Sequence, residues 1–302
     1  MKSNNTEELA FEDELIEYLQ HVGASRQWKY EEEIKTTNQL WANFRKILEQ
    51  NNQDKLDGKP LSDTEFSQVK KQVESLDNPY KAGIFLYGVG GKSQVSVERD
   101  EDGKSVILTV FDQDQIGGGN TVYQMVNQIQ RDPVISGKKP RRFDVTLLIN
   151  GLPIIQIEEK RDSISTDKAF NQMKQYLSER QYSGIYSTLQ IIIGMTRNEI
   201  RYMALPNDAD HFNTDFAFEW QDEKTNRPIH DWQVFASKVL SIPMAHQLAT
   251  NYMILDGTPY HQMIKVMRPY QVYATRRVMD KIKAHDFEVN DQRLGYIWHT
   301  TG

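Results

Sequence analysis

The stretch Phe143-Asp-Val-Thr-Leu-Leu-Ile-Asn-Gly-Leu-Pro-Ile-Ile-Gln-Ile-Glu-Glu-Lys160 admits few folds. Two apolar runs meet at Asn150-Gly151, a pair that accepts the left-handed backbone of a tight turn, so the segment reads as a β-hairpin. Its charges stand at the open end: Asp144 begins the first strand, and Glu158 and Lys160 end the second. A strict two-residue turn would place Asp144 and Glu158 on opposite faces of the sheet. A three-residue loop or a bulge brings them to the same face. On one face, two carboxylates suit a divalent metal and the lysine can orient or activate a water, which is the equipment of metal-assisted phosphodiester hydrolysis. In a chain with 26% charged residues the same spacing also arises as ordinary surface charge. The other face of the second strand carries Ile155 and Ile157, as a buried sheet requires. Glu159 shares that parity and is expected to offer its backbone carbonyl rather than its side chain.

The rest of the composition narrows the setting. A length of 302 residues suggests about two domains. The absence of cysteine excludes disulfides and thiolate metal sites. No apolar run approaches the roughly 20 residues of a membrane span, and Met-Lys-Ser-Asn-Asn-Thr-Glu-Glu lacks the apolar centre of a secretory signal. A cytoplasmic protein without a membrane partner is expected. The net charge of −6 argues against a wholly basic surface, but Lys138-Lys139-Pro140-Arg141-Arg142 stands just before Asp144 and Arg161 just after Lys160. That cluster reads as a solvated face or as a contact to phosphate backbone.

Periodicity predicts helices over 6–22, 30–50 and 62–76, the last opening on the caps of Ser62-Asp63-Thr64-Glu65. Strands are predicted over Ile84–Tyr87, Gln94–Glu98, Ser105–Phe111 and Thr121–Gln130. After the hairpin come a helix over Asp167–Arg180 and a second hairpin of Thr188–Met195 and Glu199–Ala204. From about residue 209 the pattern turns helical (Trp232–Leu240, Ala245–Leu255, then Tyr270 to about His285), ending on a short strand, Leu294–Trp298.

Gln172 and Tyr176 lie four apart and share a helix face, as surface residues or as supports of the hairpin site. Glu12 falls on the apolar stripe of Leu15, Ile16 and Leu19. A carboxylate there needs a partner, and Glu8, one turn earlier, competes for the same role. Gly88-Val-Gly-Gly-Lys92-Ser93 resembles a phosphate loop but lacks its first glycine and runs into strand alternation, so it reads as a hairpin turn. Tyr296-Ile-Trp-His-Thr-Thr-Gly302 is a strand entering a small-residue turn, as a nucleotide loop begins. The lysine of such a loop is absent, so no ATP binding by that route is expected, although Gln271 would suit an adenine.

Taken in order, these segments resemble the N-terminal part of the restriction (R) subunit of type I restriction-modification enzymes. The resemblance rests on Arg142-Phe-Asp-Val, Asn150-Gly-Leu-Pro, Ile157-Glu-Glu-Lys160, Gln172-x-x-x-Tyr176 and the closing His299-Thr-Thr-Gly with Tyr270-Gln271 upstream. One departure is Glu159, where such enzymes often carry an apolar residue. The resemblance implies an α/β fold with a PD-(D/E)xK restriction-endonuclease-like core, a mixed sheet flanked by helices, followed by a mainly helical segment. It divides the chain into an endonuclease domain at 1–208, a helical connector at 209–258, and from 259 the start of the first RecA-like motor domain, cut before its P-loop lysine. It implies Mg²⁺ at Asp144, Glu158 and the Glu159 carbonyl, and catalysis by Asp144, Glu158 and Lys160. Gln172, Tyr176, Glu12 and Arg142 would support the site or contact DNA. Gln271, Thr300, Thr301 and Gly302 would belong to an incomplete nucleotide site, with ATP bound only by the full-length subunit. The implied partners are double-stranded DNA and the methyltransferase and specificity subunits, in a prokaryotic cytoplasm. A repair-type helicase-nuclease or a non-catalytic docking module are the alternatives.

Overall fold

The computed structural model describes residues 2–23, 26–285 and 295–297. Helix α1 (Lys2–His21) leads to a short strand β1 (Lys29–Tyr30), and helices α2 (Thr37–Asn51), α3 (Asp63–Glu74) and α4 (Pro79–Tyr87) follow. Capping chemistry sets their starts. Thr36 and Ser62 each complete a reciprocal capping box, and the Asn78 side chain accepts from Lys81 N at 2.9 Å ahead of Pro79. The helix expected over 30–50 thus begins only at Thr37, and Lys29–Tyr30 pairs as a strand instead. The strand expected at Ile84–Tyr87 is the last part of α4: the Asn-Pro start signal outweighs four residues of β-favouring side chains.

Strands β2 (Lys92–Glu98) and β3 (Ser105–Asp112) form a separate hairpin. The main sheet has six strands in the order β1-β4-β5-β6-β7-β8, where β4 is Tyr123–Arg131, β5 Arg141–Ile149, β6 Leu152–Glu159, β7 Ile191–Met195 and β8 Ile200–Ala204. It is mixed: β1 and β4 run parallel, as do β6 and β7, while the other neighbours are antiparallel. Helix α5 (Asp167–Ser178) connects β6 to β7 and packs across both. The expected mixed sheet with flanking helices is therefore the observed architecture.

The β5–β6 hairpin carries the detail on which the site depends. Asn150 and Gly151 take φ of 50° and 81°, so the turn itself holds two residues. Ile149 pairs with Leu152 and Leu148 with Pro153, but Leu147 pairs with Ile155. The extra residue, Ile154, is a β-bulge that shifts the register by one, and Val145 comes to lie opposite Ile157. Carried one residue further, this register would set Asp144 opposite Glu158, as a shared face requires. Gly151 is also pressed against α2, where an added Cβ would lie 2.8 Å from Phe44 Cα. Gly151→Ala combines that clash with a left-handed residue, and we expect roughly 2–3 kcal/mol of destabilisation. Urea unfolding of the variant beside the parent checks it.

After β8 the chain is less helical than its pattern suggests. Helix α6 (Trp232–Phe235) passes into a π-helical turn at Ala236–Leu240, and α7 (Met244–Ala249) stops well before Leu255. The segment expected as one helix over Ala245–Leu255 ends instead in β9 (Met253–Asp256), which pairs with β10 (Met263–Val266) before α8 (Pro269–Ala284). Residues 295–297 have no regular structure, and the rest of the strand expected at Leu294–Trp298 lies outside the described residues. One hydrophobic cluster extends from Phe11 through the sheet to Val272. Trp28 Nε1 donates to Leu240 O at 2.7 Å, tying the later segment to the sheet.

Candidate active site

Beyond the Val145–Ile157 pair, β5 and β6 part, and the open end of the hairpin becomes a polar cluster inside an apolar sheet. Asp144 bridges the gap, its Oδ2 accepting from Glu159 N at 3.0 Å. Glu158 is 0% exposed and Lys160 8%. The Lys160 backbone N–H donates to Met195 O at 2.9 Å, which extends the parallel pairing with β7 and fixes the lysine's place. Its Nζ lies 3.0 Å from Glu158 Oε1, 2.7 Å from Glu159 O and 4.0 Å from Asp144 Oδ2.

Helix α5 covers this cluster. Gln172 Nε2 donates to Glu158 Oε1 and to Tyr176 Oη, and Tyr176 in turn donates to Arg142 O at 3.3 Å. Gln172 and Tyr176 therefore form one chain of hydrogen bonds running from Glu158 back to the start of β5. Arg142 joins that chain through its carbonyl, while its side chain is exposed beside the exposed Lys138 and Lys139. Arg141, by contrast, is committed to α5, with Nε 2.7 Å from Glu179 Oε2.

On α1, the buried carboxylate among the described side chains is Glu12, 2% exposed. Asn127 Nδ2 donates to its Oε1 at 2.7 Å, and Gln128 Nε2 donates to Oε2. Gln128 takes φ +54°, a conformation costly for a side chain other than glycine, between the Asn127–Val145 and Ile129–Phe143 pairs and thus across from Asp144. Glu8, one turn earlier, is half-buried and contributes to the field around Lys160. Asn127 and Gln128 escaped the sequence reading; their signal was two adjacent amides in a strand otherwise rich in apolar residues. The Glu159 side chain is 1% exposed, and neither of its carboxylate oxygens has a hydrogen-bond partner; Glu158 Oε2 is likewise unpaired.

The electrostatics follow from crowding. Burial, then the charge of Asp144, pushes the Glu12 carboxyl up to about 7. Burial followed by Asp144 raises Glu158 well above the carboxylate range, with Lys160 opposing. Burial, then Glu12, Asp144 and Glu158, raises Glu159. Lys160 is pulled down by burial, but Glu158 and Asp144 outweigh that, so its net shift is upward and it stands as an ammonium.

Among the described residues no set of three or more Asp, Glu or His side chains is gathered as a ready-made metal cage. The Lys160 ammonium sits between the carboxylates instead. The donor set is nonetheless all oxygen, with a buried and unpaired Glu158 Oε2, which fits a hard cation. Of the expected nucleotide residues, Gln271 caps α8 by accepting from Arg268 N at 2.9 Å, and Thr300, Thr301 and Gly302 lie outside the described residues. No helix among the described residues is long and apolar enough to cross a membrane.

A mixed sheet flanked by helices, with acidic residues and a lysine at the parted ends of a central hairpin, defines a restriction-endonuclease-like core. The family model for the type I restriction enzyme R protein N terminus matches residues 4–211, and the chain belongs to that family. It is 32% identical over 295 residues to the type I restriction enzyme SauMSSORF170P endonuclease subunit of Staphylococcus aureus (strain MSSA476), an alignment covering 98% of this chain and 28% of that protein. It is 30% identical over 177 residues to the EcoprrI endonuclease subunit of Escherichia coli, covering 58% of this chain and 54% of that one. A putative type I subunit of Methanocaldococcus jannaschii, MjaVIIIP, is 24% identical over 163 residues, covering 53% and 15%. The chain thus spans little more than a quarter of the length of its Staphylococcus relatives.

Proposed function

We propose that residues 1–208 are the Mg²⁺-dependent DNA endonuclease domain of a type I restriction subunit, cutting phosphodiester bonds without sequence preference. In this reading 209–258 is a connector and 259–302 begins the first motor domain. ATP-driven translocation by the full-length subunit, assembled with methyltransferase and specificity subunits in a prokaryotic cytoplasm, brings double-stranded DNA to the site. The observation that carries the reading is the Lys160 ammonium held between Glu158 Oε1 and the Glu159 carbonyl, directly beside Asp144.

Asp144, Glu158 and the Glu159 carbonyl would hold Mg²⁺. The ion supplies Lewis-acid polarisation of the phosphate and lowers the pKa of a bound water. The chain's own groups divide the remaining work. Lys160, kept protonated by its acidic neighbours, is a hydrogen-bond donor rather than a base, and it orients the attacking water and balances charge near the phosphate. Gln172 and Tyr176 lock the Glu158 carboxylate in one orientation. The exposed Lys138, Lys139 and Arg142 lie at the same open end of the hairpin and suit contacts to the DNA backbone.

Lys160→Gln in the full-length assembled enzyme tests this. Cleavage should fall by roughly 10²–10⁴-fold while DNA binding and ATP-driven translocation persist. Cleavage at the parental rate would make the triad a structural charge cluster.

A further inference from the structure

The segment from Lys160 to Thr166 is neither helix nor strand, yet it must hold the lysine in place. The turn between β7 and β8, Thr196-Arg-Asn-Glu199, grips it at its start, middle and end. Lys160 N donates to Met195 O at 2.9 Å, just ahead of the turn, and Arg197 N donates to Asp162 Oδ1 at 2.9 Å. Thr166 N donates to Glu199 Oε2 at 3.2 Å, and Thr166 Oγ1 donates to Glu199 Oε1 at 2.5 Å. Each bond removes freedom that an irregular segment otherwise keeps.

Arg197 carries this grip in two further directions. Its guanidinium reaches α1, with Nη2 2.8 Å from Glu14 Oε1, Nε 3.2 Å from Glu14 Oε2, and Cζ 4.7 Å from the centroid of the Phe11 ring. Its carbonyl accepts from Trp232 N at 3.3 Å, the first residue of α6. The buried Trp232 ring meets the same face of α1, edge-on to Phe11 at 5.4 Å and to Tyr18 at 5.3 Å. Through its N–H, its side chain and its carbonyl, Arg197 thus joins the Lys160 segment, the helix that bears Glu12, and the segment after β8. As a source of stability the arrangement is weak, since the Glu14 side chain is half exposed and the pair is screened by solvent. What it fixes is relative position, and displacements of about 1 Å are costly to a reacting site.

We propose that Arg197 is a positioning residue for cleavage, holding the Lys160–Thr166 segment and α1 in register and taking its own place from Trp232. The inference rests on the nuclease reading of the Lys160 site and adds to it a residue that touches neither DNA nor the reacting atoms. Arg197 acts through the turn, because its side chain anchors to α1 the backbone whose N–H holds Asp162. The seat of Trp232 on that turn then sets the geometry around Lys160, so a shift of the segment after β8 is felt at the site.

Amide hydrogen exchange of the 302-residue chain, read by mass spectrometry, separates position from stability. Arg197→Ala should speed exchange across residues 161–166 by roughly tenfold, with the amides of β5 and β6 and the thermal midpoint unchanged. Arg197→Lys keeps a cation beside Glu14 but loses the two-pronged grip, and should fall between Arg197→Ala and the parent. Trp232→Phe keeps the backbone donor and shortens the ring, and should speed the same amides. In the full-length assembled subunit Arg197→Ala should slow DNA cleavage by roughly 10–10²-fold, with DNA affinity, ATP hydrolysis and translocation unchanged. Unchanged exchange at 161–166 in Arg197→Ala or in Trp232→Phe overturns the proposal, and so does acceleration spread evenly over the domain. A loosened segment that still cuts at the parental rate overturns it as well. None of these results touches the nuclease reading, which falls instead if Lys160→Gln cuts at the parental rate.

Discussion

Glu158→Gln in the full-length assembled subunit should reduce DNA cleavage by roughly 10²–10⁴-fold, with ATP hydrolysis and translocation unchanged. The substitution is informative because it changes charge and almost nothing else. Lys160 Nζ and Gln172 Nε2 both donate to Oε1, while Oε2 is unpaired. A glutamine can therefore keep its oxygen toward both donors and place its NH₂ where Oε2 stood. Removing a fully buried carboxylate that crowds Asp144 should leave the unfolding midpoint unchanged or raise it. Loss of cleavage in a protein that unfolds no earlier than its parent separates a catalytic carboxylate from a structural one. Cleavage near the parental rate, or loss of ATPase together with cleavage, would sink the assignment.

Acid should weaken the attachment of α7 to the sheet through His246. Its ring is 2% exposed, with Nδ1 2.8 Å from Tyr123 Oη and edge contacts to Phe111 and Tyr123. Burial lowers its pKa from the usual 6.5 to about 4. The folded state thus resists the proton that the unfolded chain accepts. Above pH 6.5 both states are neutral and the packing contributes in full. As pH falls from 6.5 towards 4 the unfolded state gains the proton first, and stability drops by about 3 kcal/mol across that window. The buried carboxylates act in the opposite sense, since groups whose folded pKa is raised favour the folded state as pH falls, and they offset part of the loss in parent and variant alike. The comparison with His246→Gln cancels them. Urea unfolding at pH 7, 5.5 and 4 should show the parent losing about 3 kcal/mol more than the variant across the range. Equal losses would show that the ring becomes protonated without cost.

The helices at 62–76 and 167–180 were legible because their signals are local: a capping box at Ser62 and an apolar stripe through Ala169, Phe170 and Met173. The hairpin was legible for the same reason, since Asn-Gly between apolar runs leaves the backbone few alternatives. Errors arose where a local signal was outweighed. Ile84–Tyr87 has strand-like side chains but lies downstream of Asn78-Pro79, and a helix once started propagates through such residues. The helix over Ala245–Leu255 failed because its last residues found a partner strand in Met263–Val266, remote in sequence and invisible to periodicity.

For the site, the sequence alone determined which residues are available: two carboxylates and a lysine at the open end of a hairpin, Gln172 and Tyr176 one turn apart, and Glu12 on an apolar stripe. Only the tertiary structure decided whether they meet. The choice rests on Ile154, a bulge beside Pro153; a proline without an N–H for the ladder is compatible with a bulge but does not fix the register, which is set by pairing across strands. Glu12 was separated from Glu8 by the amides of Asn127 and Gln128, which reach it across 115 and 116 residues of sequence. The burial of the Glu159 side chain was likewise hidden, since alternation gives a residue's face but not what covers that face, and there α1 and the sheet together exclude water.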